Sequence, residues 1–249
     1  MLRLNRPASK NAIGRVFLSQ LRASLQDLKF NPHVKALIVK SQVEGVFCAG
    51  ADLKERATMN QAEVASFVQS LRTAFSELED LPVPTIACID GFALGGGLEL
   101  ALAADIRVAG ANAKLGLPET KLAIIPGAGG TQRLPRLIGA SRAKELIFCA
   151  RVVDAGQALS YGMVNHCVDA PSGYSKALEL ARCIAQNGPV AVQMAKLAIN
   201  KGSALDLHSG LAFEQTCYAQ VIPTKDRIEG ESFFMLLFES MTLALSLFC

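Results

Sequence analysis

The chain has 249 residues, 51% of them hydrophobic and 19% charged, which is enough length and apolar content for one large buried core and excludes a disordered polymer. Its 25 basic and 22 acidic residues leave a net charge of +3, with no dense Lys/Arg cluster interleaved with aromatics, so nucleic acid is not the expected partner. Seven cysteines, never at C-x-x-C spacing, read as buried thiols in a reducing compartment, and three histidines (His33, His166, His208), none four apart on a helix, argue against a zinc site or a His-based triad.

Metal-free carboxylate chemistry is what remains. The chain opens on Met1-Leu2-Arg3-Leu4-Asn5-Arg6-Pro7, which has no apolar run of signal-peptide length. Residues 11–30 carry apolar side chains at Ile13, Phe17, Leu18, Leu21, Leu25 and Leu28, a helical stripe closed by Asn31-Pro32. A short strand over 36–40 follows, then a second helix over 61–78 with Val64, Phe67, Val68, Leu71, Phe75 and Leu78 on one face, ended by Pro82 and Pro84. The run Thr85-Ile86-Ala87-Cys88-Ile89 predicts a buried strand, and after Asp90-Gly91 a triple glycine leads into a helix over 98–104. Further strands are expected at 106–109, 152–153 and 164–168, alternating with helices, so the pattern is α/β. Beyond Ser175 the periodicity is wholly helical, in segments 177–186, 190–200 and 205–221 separated by Gly188-Pro189 and Gly202-Ser203.

Four segments carry possible chemistry. In Val46-Phe47-Cys48-Ala49-Gly50-Ala51-Asp52-Leu53-Lys54-Glu55 small residues precede an acidic residue and a helix; alone, this is an ordinary strand-to-helix turn. Gly95-Gly96-Gly97 stands two residues before Glu99, where free amides at a helix start suit an oxyanion and where the bland alternative is tight helix–strand packing. Lys114-Leu115-Gly116-Leu117-Pro118-Glu119 puts a carboxylate after a proline, by itself a common helix start. Finally, residues 125–133 form a second glycine-rich loop that lacks the Gly-Lys-Ser/Thr ending of a phosphate-binding loop.

Together, these segments resemble the enoyl-CoA hydratase/isomerase, or crotonase, superfamily. The resemblance rests on Asn5-Arg6-Pro7 with Asn11-Ala12, Phe47 to Lys54, Gly91 to Glu99, Leu117-Pro118-Glu119 and Pro126 to Arg133, and covers about residues 2 to 230. It implies a spiral of repeated ββα units with a C-terminal helical region: a crotonase core over 1–174, a helical trimerisation or lid region over 175–230 and a divergent apolar tail over 231–249. Its implied function is hydration of the α,β double bond of an enoyl-CoA thioester. The amides of Ala51 and Gly96 would form the oxyanion hole, Glu99 would mainly activate water, and Glu119 would mainly deliver a proton.

Coenzyme A, as part of the substrate and not a cofactor, would lie along Ala49, Ala51, Asp52, Leu53 and Lys54, with Lys10 or Arg6 also near its phosphates. Leu53, Leu94, Leu117 and Ile124 would line the acyl pocket. Retention of both glutamates favours a hydratase over an enoyl-CoA isomerase; a non-enzymatic, RNA-associated binding protein on the same scaffold is the alternative from another class. The resemblance further implies a homotrimer or hexamer and a mitochondrial location, and suggests that one or two strands and a presequence would precede Leu2. In residues 232–249 only Glu239 is charged. Their length approaches that of a bilayer span, but a charge near the middle costs about 3 kcal/mol on insertion scales, so the tail reads as a variant C-terminal segment and not as a membrane anchor.

Overall fold

The computed structural model describes residues 1–170 and 172–231. The tail expected over 231–249 lies, but for Glu231, outside the described residues. The chain divides into two compact units, Met1–Ile184 and the remainder from Ala185.

In the first unit β1 (Leu2–Leu4) is followed by α1 (Arg15–Lys29), β2 (Leu37–Ser41), β3 (Val46–Cys48), the single turn α2 (Leu53–Arg56), α3 (Gln61–Glu79), β4 (Thr85–Ile89), β5 (Phe92–Leu94) and α4 (Gly96–Leu102). Next come β6 (Ile106–Ala109), β7 (Lys114–Gly116), α5 (Gly130–Ile138), α6 (Ala140–Phe148), β8 (Val152–Asp154), α7 (Ala155–Ser160), β9 (His166–Cys167) and α8 (Tyr174–Ala185). A 3-10 turn, Pro118–Leu122, lies between β7 and α5.

The consecutive pairs β2/β3, β4/β5 and β6/β7 each split between two sheets. β1-β2-β4-β6-β9 form one sheet, parallel throughout, and β3-β5-β7-β8 form the other, closed by an antiparallel β7/β8 pair. The chain thus advances by ββα units, one strand to each sheet and then a helix, in the crotonase-like spiral.

Period-2 alternation explains the packing of the first sheet. Leu37, Val39, Ala87, Ile89 and Ala109 point into the main core, while Ile38, Ile86, Cys88 and Val108 point to the opposite face and meet Ala177 of α8. A sheet covered on both faces needs strands that are apolar at every position, and all five residues of β4 are buried. α3 starts on a capping box: the Glu63 amide donates to Asn60 Oδ1 at 3.0 Å and the Asn60 amide donates to Glu63 Oε2 at 2.9 Å.

The second unit is helical among the described residues, with α9 (Pro189–Gly202) and α10 (Leu207–Val221) meeting at two glycines. A Cβ built on Gly210 would stand 3.3 Å from the Gly202 carbonyl oxygen. No helix of the described residues is long and apolar enough to cross a membrane.

Several sequence expectations need correction. The first helix starts at Arg15 and not at residue 11, because Lys10 and Asn11 adopt positive φ and Ile13 pairs with Ala51 in an isolated parallel bridge. Asn11 is fully buried there: its Oδ1 accepts from the Arg6 amide at 2.7 Å, and its Nδ2 donates to Ser41 Oγ at 2.8 Å and the Phe47 carbonyl at 3.0 Å. The helix expected over 98–104 spans 96–102, with two of the glycines inside it. The strand expected over 164–168 shrinks to His166–Cys167. β1, β5 and β7, three residues each, had no counterpart in the sequence reading, and β3 only the strand implied before the turn at 49–51.

Candidate active site

The site grows from the ends of β3 and β5. At the end of β3, Gly50 takes a φ of +98°, and a Cβ there would meet the Leu94 carbonyl oxygen at 2.8 Å, so the backbone of 49–51 can lie against β5 only because Gly50 has no side chain. The stretch is pinned on its other side: the Ile13 amide donates to the Gly50 carbonyl at 2.8 Å, and the Asp52 amide to the Ile13 carbonyl at 3.0 Å. After β5, α4 packs so closely on β3 that a Cβ on Gly97 would sit 2.2 Å from the Cys48 carbonyl oxygen.

This packing brings Ala51 beside Gly96. A Cβ built on Gly96 would lie 3.7 Å from the Ala51 nitrogen, and one on Gly50 3.5 Å from the Gly96 nitrogen. Neither the Ala51 nor the Gly96 amide has an acceptor among the described residues. Gly96 opens α4, where the first-turn amides have no partner within the helix. Two N–H groups, free among the described residues, thus stand on one wall where an anionic group could accept from both.

The carboxylates stand next to these amides. The same Cβ position on Gly96 is 3.9 Å from Glu99 Oε2, and that on Gly95 is 3.1 Å from Glu119 Oε1. Glu99, one turn into α4 and only 3% exposed, accepts at Oε1 from the amides of Ala128 at 2.8 Å and Gly130 at 2.7 Å. Burial pushes its pKa above the ordinary carboxylate range, against the pull of those two amides and the more distant Arg133 and Arg72. Glu119 belongs to the 3-10 turn after β7, and its Oε2 is buried with no hydrogen-bond partner among the described residues. Burial drives its pKa up to about 7, with the Glu99 charge adding to the rise.

Both glutamates line one cavity of about 610 Å³, a usual size for a small-molecule site. Ala49, Gly50, Ala51 and Gly96 share its wall, Leu53, Leu94 and Ile124 its apolar lining. Leu53, Leu122 and Ile125 are all more than half exposed, an apolar fringe suited to a ligand that is itself partly apolar. Leu117, expected in the lining, is instead buried behind the site, beside Gly130. Asp52 turns from the cavity to cap α2, accepting from the Glu55 amide at 3.2 Å. Lys54 and Lys10 are exposed, and the Arg6 guanidinium donates to the Ala12 carbonyl at 2.6 Å.

The second glycine-rich loop does bind an anion, but the anion is Glu99 of the same chain. Two arginines fix it: Arg72 Nε of α3 donates to the Gly127 carbonyl at 2.6 Å, and Arg133 Nη1 to the Ala128 carbonyl at 3.1 Å. Arg133 is paired in turn with Glu79 at 2.6 Å. Its sequence signal is the run of glycines before a helix, which an internal carboxylate uses here in place of an external phosphate. Arg56 and Arg72 also line the cavity, and neither stood among the sequence candidates. No cluster of His, Cys, Asp and Glu able to hold a metal ion occurs among the described residues.

The family model for enoyl-CoA hydratase/isomerase matches residues 1–236. Human mitochondrial methylglutaconyl-CoA hydratase is 55% identical over 234 residues, covering 92% of this chain and 69% of that protein. Mouse mitochondrial enoyl-CoA hydratase domain-containing protein 2 is 52% identical over 235 residues, covering 93% and 79%. Among solved structures, an enoyl-CoA hydratase from Bacillus anthracis superposes with a TM-score of 0.91 at 49% identity, covering 94% of this chain and 90% of that one.

Proposed function

From the premise that this chain belongs to the enoyl-CoA hydratase/isomerase family, we propose that it adds water across the α,β double bond of an enoyl-CoA thioester. The observation that carries this reading is the placement of two carboxyls, with raised pKa values, beside two free amides in one largely apolar cavity.

The chemistry follows from the differences between the two carboxyls. Glu99, whose charged form two N–H donors favour, is the carboxylate available as base; it takes a proton from water as the water oxygen bonds to the β-carbon. The electron pair of the double bond moves toward the thioester, whose oxygen gathers negative charge between the amides of Ala51 and Gly96. Preorganised donors of this kind are worth about 3 to 4 kcal/mol each. Glu119, which keeps its proton up to about pH 7, supplies that proton to the α-carbon. Water has then been added, and passage of the proton from Glu99 back to Glu119 restores the starting state. Water, thioester and protein groups complete the cycle without a cofactor.

Coenzyme A would run from the cavity past Ala49 and Leu53 toward Lys54. Mitochondrial residence is proposed from the names of the relatives, and assembly as a homotrimer from the family resemblance. The test is hydration of a series of enoyl-CoA thioesters, followed by loss of the conjugated-enoyl absorbance. Glu119→Gln should lower turnover by about 10²- to 10⁴-fold while binding the thioester nearly as well. Unchanged turnover in that variant would remove Glu119 from the mechanism.

A further inference from the structure

The direction of the Ala51 N–H is set from outside the cavity. It shares one planar peptide with the Gly50 carbonyl, so a donor that fixes the carbonyl fixes the N–H as well, and that donor is the Ile13 amide at 2.8 Å. The Asp52 amide returns a bond to the Ile13 carbonyl at 3.0 Å. Further on, the same two segments meet again: Glu55 accepts from the Arg15 amide, at 3.1 Å on one carboxylate oxygen and 3.2 Å on the other. Gly14 has no side chain with which to cap α1, so Glu55 caps it from α2, and a Cβ on Gly14 would collide with Glu55 Oε2. The Arg15 guanidinium is a lesser partner, its Nε 3.8 Å from Glu55 Oε1 while its Nη2 donates to Glu63 at 3.0 Å. Since the Asp52 carboxylate accepts from the Glu55 amide at 3.2 Å, Ile13, Asp52, Glu55 and Arg15 close a ring of hydrogen bonds next to Ala51.

From this we infer that Glu55 is a positioning residue for hydration: its carboxylate, latched on the start of α1, holds the 50–55 segment so that the Ala51 amide meets the thioester oxygen. Gly14 is the bare position that the latch requires. The inference rests on the hydratase reading and goes beyond it, since Glu55 lies outside the lining of the cavity. Loss of the latch leaves the fold standing, because the segment keeps its two backbone bonds to Ile13. What it loses is precision, and a displacement on the order of 1 Å in a group that must meet the transition state costs up to about 10²-fold in rate. Binding of the ground-state thioester is spread over the rest of the cavity, so the loss falls in kcat and not in KM.

The test compares Glu55→Ala, Glu55→Gln, Gly14→Ala and the Gly14→Ala/Glu55→Ala double variant, in the full chain, with the enoyl-CoA thioester that the wild type hydrates fastest. Hydrogen exchange over residues 49–56, which needs no substrate, is read alongside by mass spectrometry. Gly14 has a φ of −111°, open to alanine, and the atom its methyl would strike is the far end of a flexible side chain, so Gly14→Ala displaces the Glu55 carboxylate without straining the backbone. Glu55→Ala should lower kcat by about 10- to 100-fold with KM within about threefold of wild type. Glu55→Gln, which keeps one acceptor oxygen, should recover part of the loss. Gly14→Ala should reproduce the loss in the wild type and add nothing to Glu55→Ala, where the atom it displaces is gone. Exchange over 49–56 should quicken in both single variants. Wild-type kcat in Glu55→Ala overturns the inference, even with a lowered melting temperature, since Glu55 is then a structural cap alone. So does a change confined to KM, unmoved exchange, or a Gly14→Ala loss of the same size with and without Glu55. In each of those results the wild type still hydrates its substrate and the hydratase reading stands. A wild type that hydrates no enoyl-CoA ends that reading, and the role of Glu55 in hydration with it.

Discussion

Burial raises the Glu119 carboxyl to a pKa of about 7, and this has consequences for stability as well as chemistry. In the unfolded chain the group titrates near 4.5, so between about pH 4.5 and 7 the folded state binds the extra proton. The stabilising contribution is therefore complete below about 4.5 and is lost as pH rises through 7. Glutamine carries no such dependence. The melting temperature of Glu119→Gln relative to wild type should be higher at pH 8 than at pH 5, and a constant difference across that range would contradict the burial account. Hydration by the wild type should decline above about pH 7 as the proton donor is lost. Gly96 gives a second prediction at this scale. A methyl group there meets only ordinary contacts, 3.5 Å from Ile13 Cδ1 and 3.7 Å from the Ala51 nitrogen, so Gly96→Ala should fold. That methyl, however, covers one of the two amides expected to hold the oxyanion, and turnover should fall by about 10²- to 10³-fold. Full activity in a folded Gly96→Ala protein would place the oxyanion elsewhere.

At the scale of elements, the 126–130 loop sets the character of Glu99 and α3 sets the loop. Arg72 and Glu79 both belong to α3, and through Arg133 and the Gly127 and Ala128 carbonyls they fix the amides that reach Glu99. Arg133→Met should loosen those amides. Because they hold the Glu99 pKa down, the pH below which hydration fails should move upward, with kcat falling more than KM changes. A changed melting temperature with an unmoved pH profile would make Arg133 merely structural. The sequence revealed this arrangement unevenly. β4 was legible because a strand buried on both faces needs an unbroken apolar run, and Thr85 to Ile89 supplies one. The three-residue strands β3, β5 and β7 are too short to show a period, and they carry the site. Glu99 and Glu119 could be singled out because the glycine run and the Pro-Glu pair flank them in a family pattern. The donors to Glu99 could not, since they are backbone amides of Ala128 and Gly130 and no residue letter marks an amide's partner. Arg56 was hidden for a related reason: an arginine on one helical turn looks solvated until the cavity behind it is seen.

At the scale of the whole molecule, the helical unit presents a surface that a single copy leaves uncovered. On α10 the side facing α9 carries Gly210 and the buried Cys217. Leu207 at 79%, Leu211 at 52% and Tyr218 at 62% are exposed, and with Ile222 they recur at spacings of four, seven and four, which places them on one stripe of the helix. Ile199 of α9 is 68% exposed as well. A contiguous apolar stripe of this kind marks an interaction surface, and the occupant proposed for it is another copy of the chain in closed symmetry, as the family resemblance implies. Light scattering at micromolar concentration should therefore report three chains per particle, the number the family resemblance implies. Leu211→Glu places a charge in the middle of the stripe without touching the α9 side, so it should shift the particle toward single chains while far-ultraviolet circular dichroism stays unchanged. A wild-type chain that remains a monomer at tens of micromolar, or a Leu211→Glu protein of unaltered mass, would show that the stripe is not where copies meet.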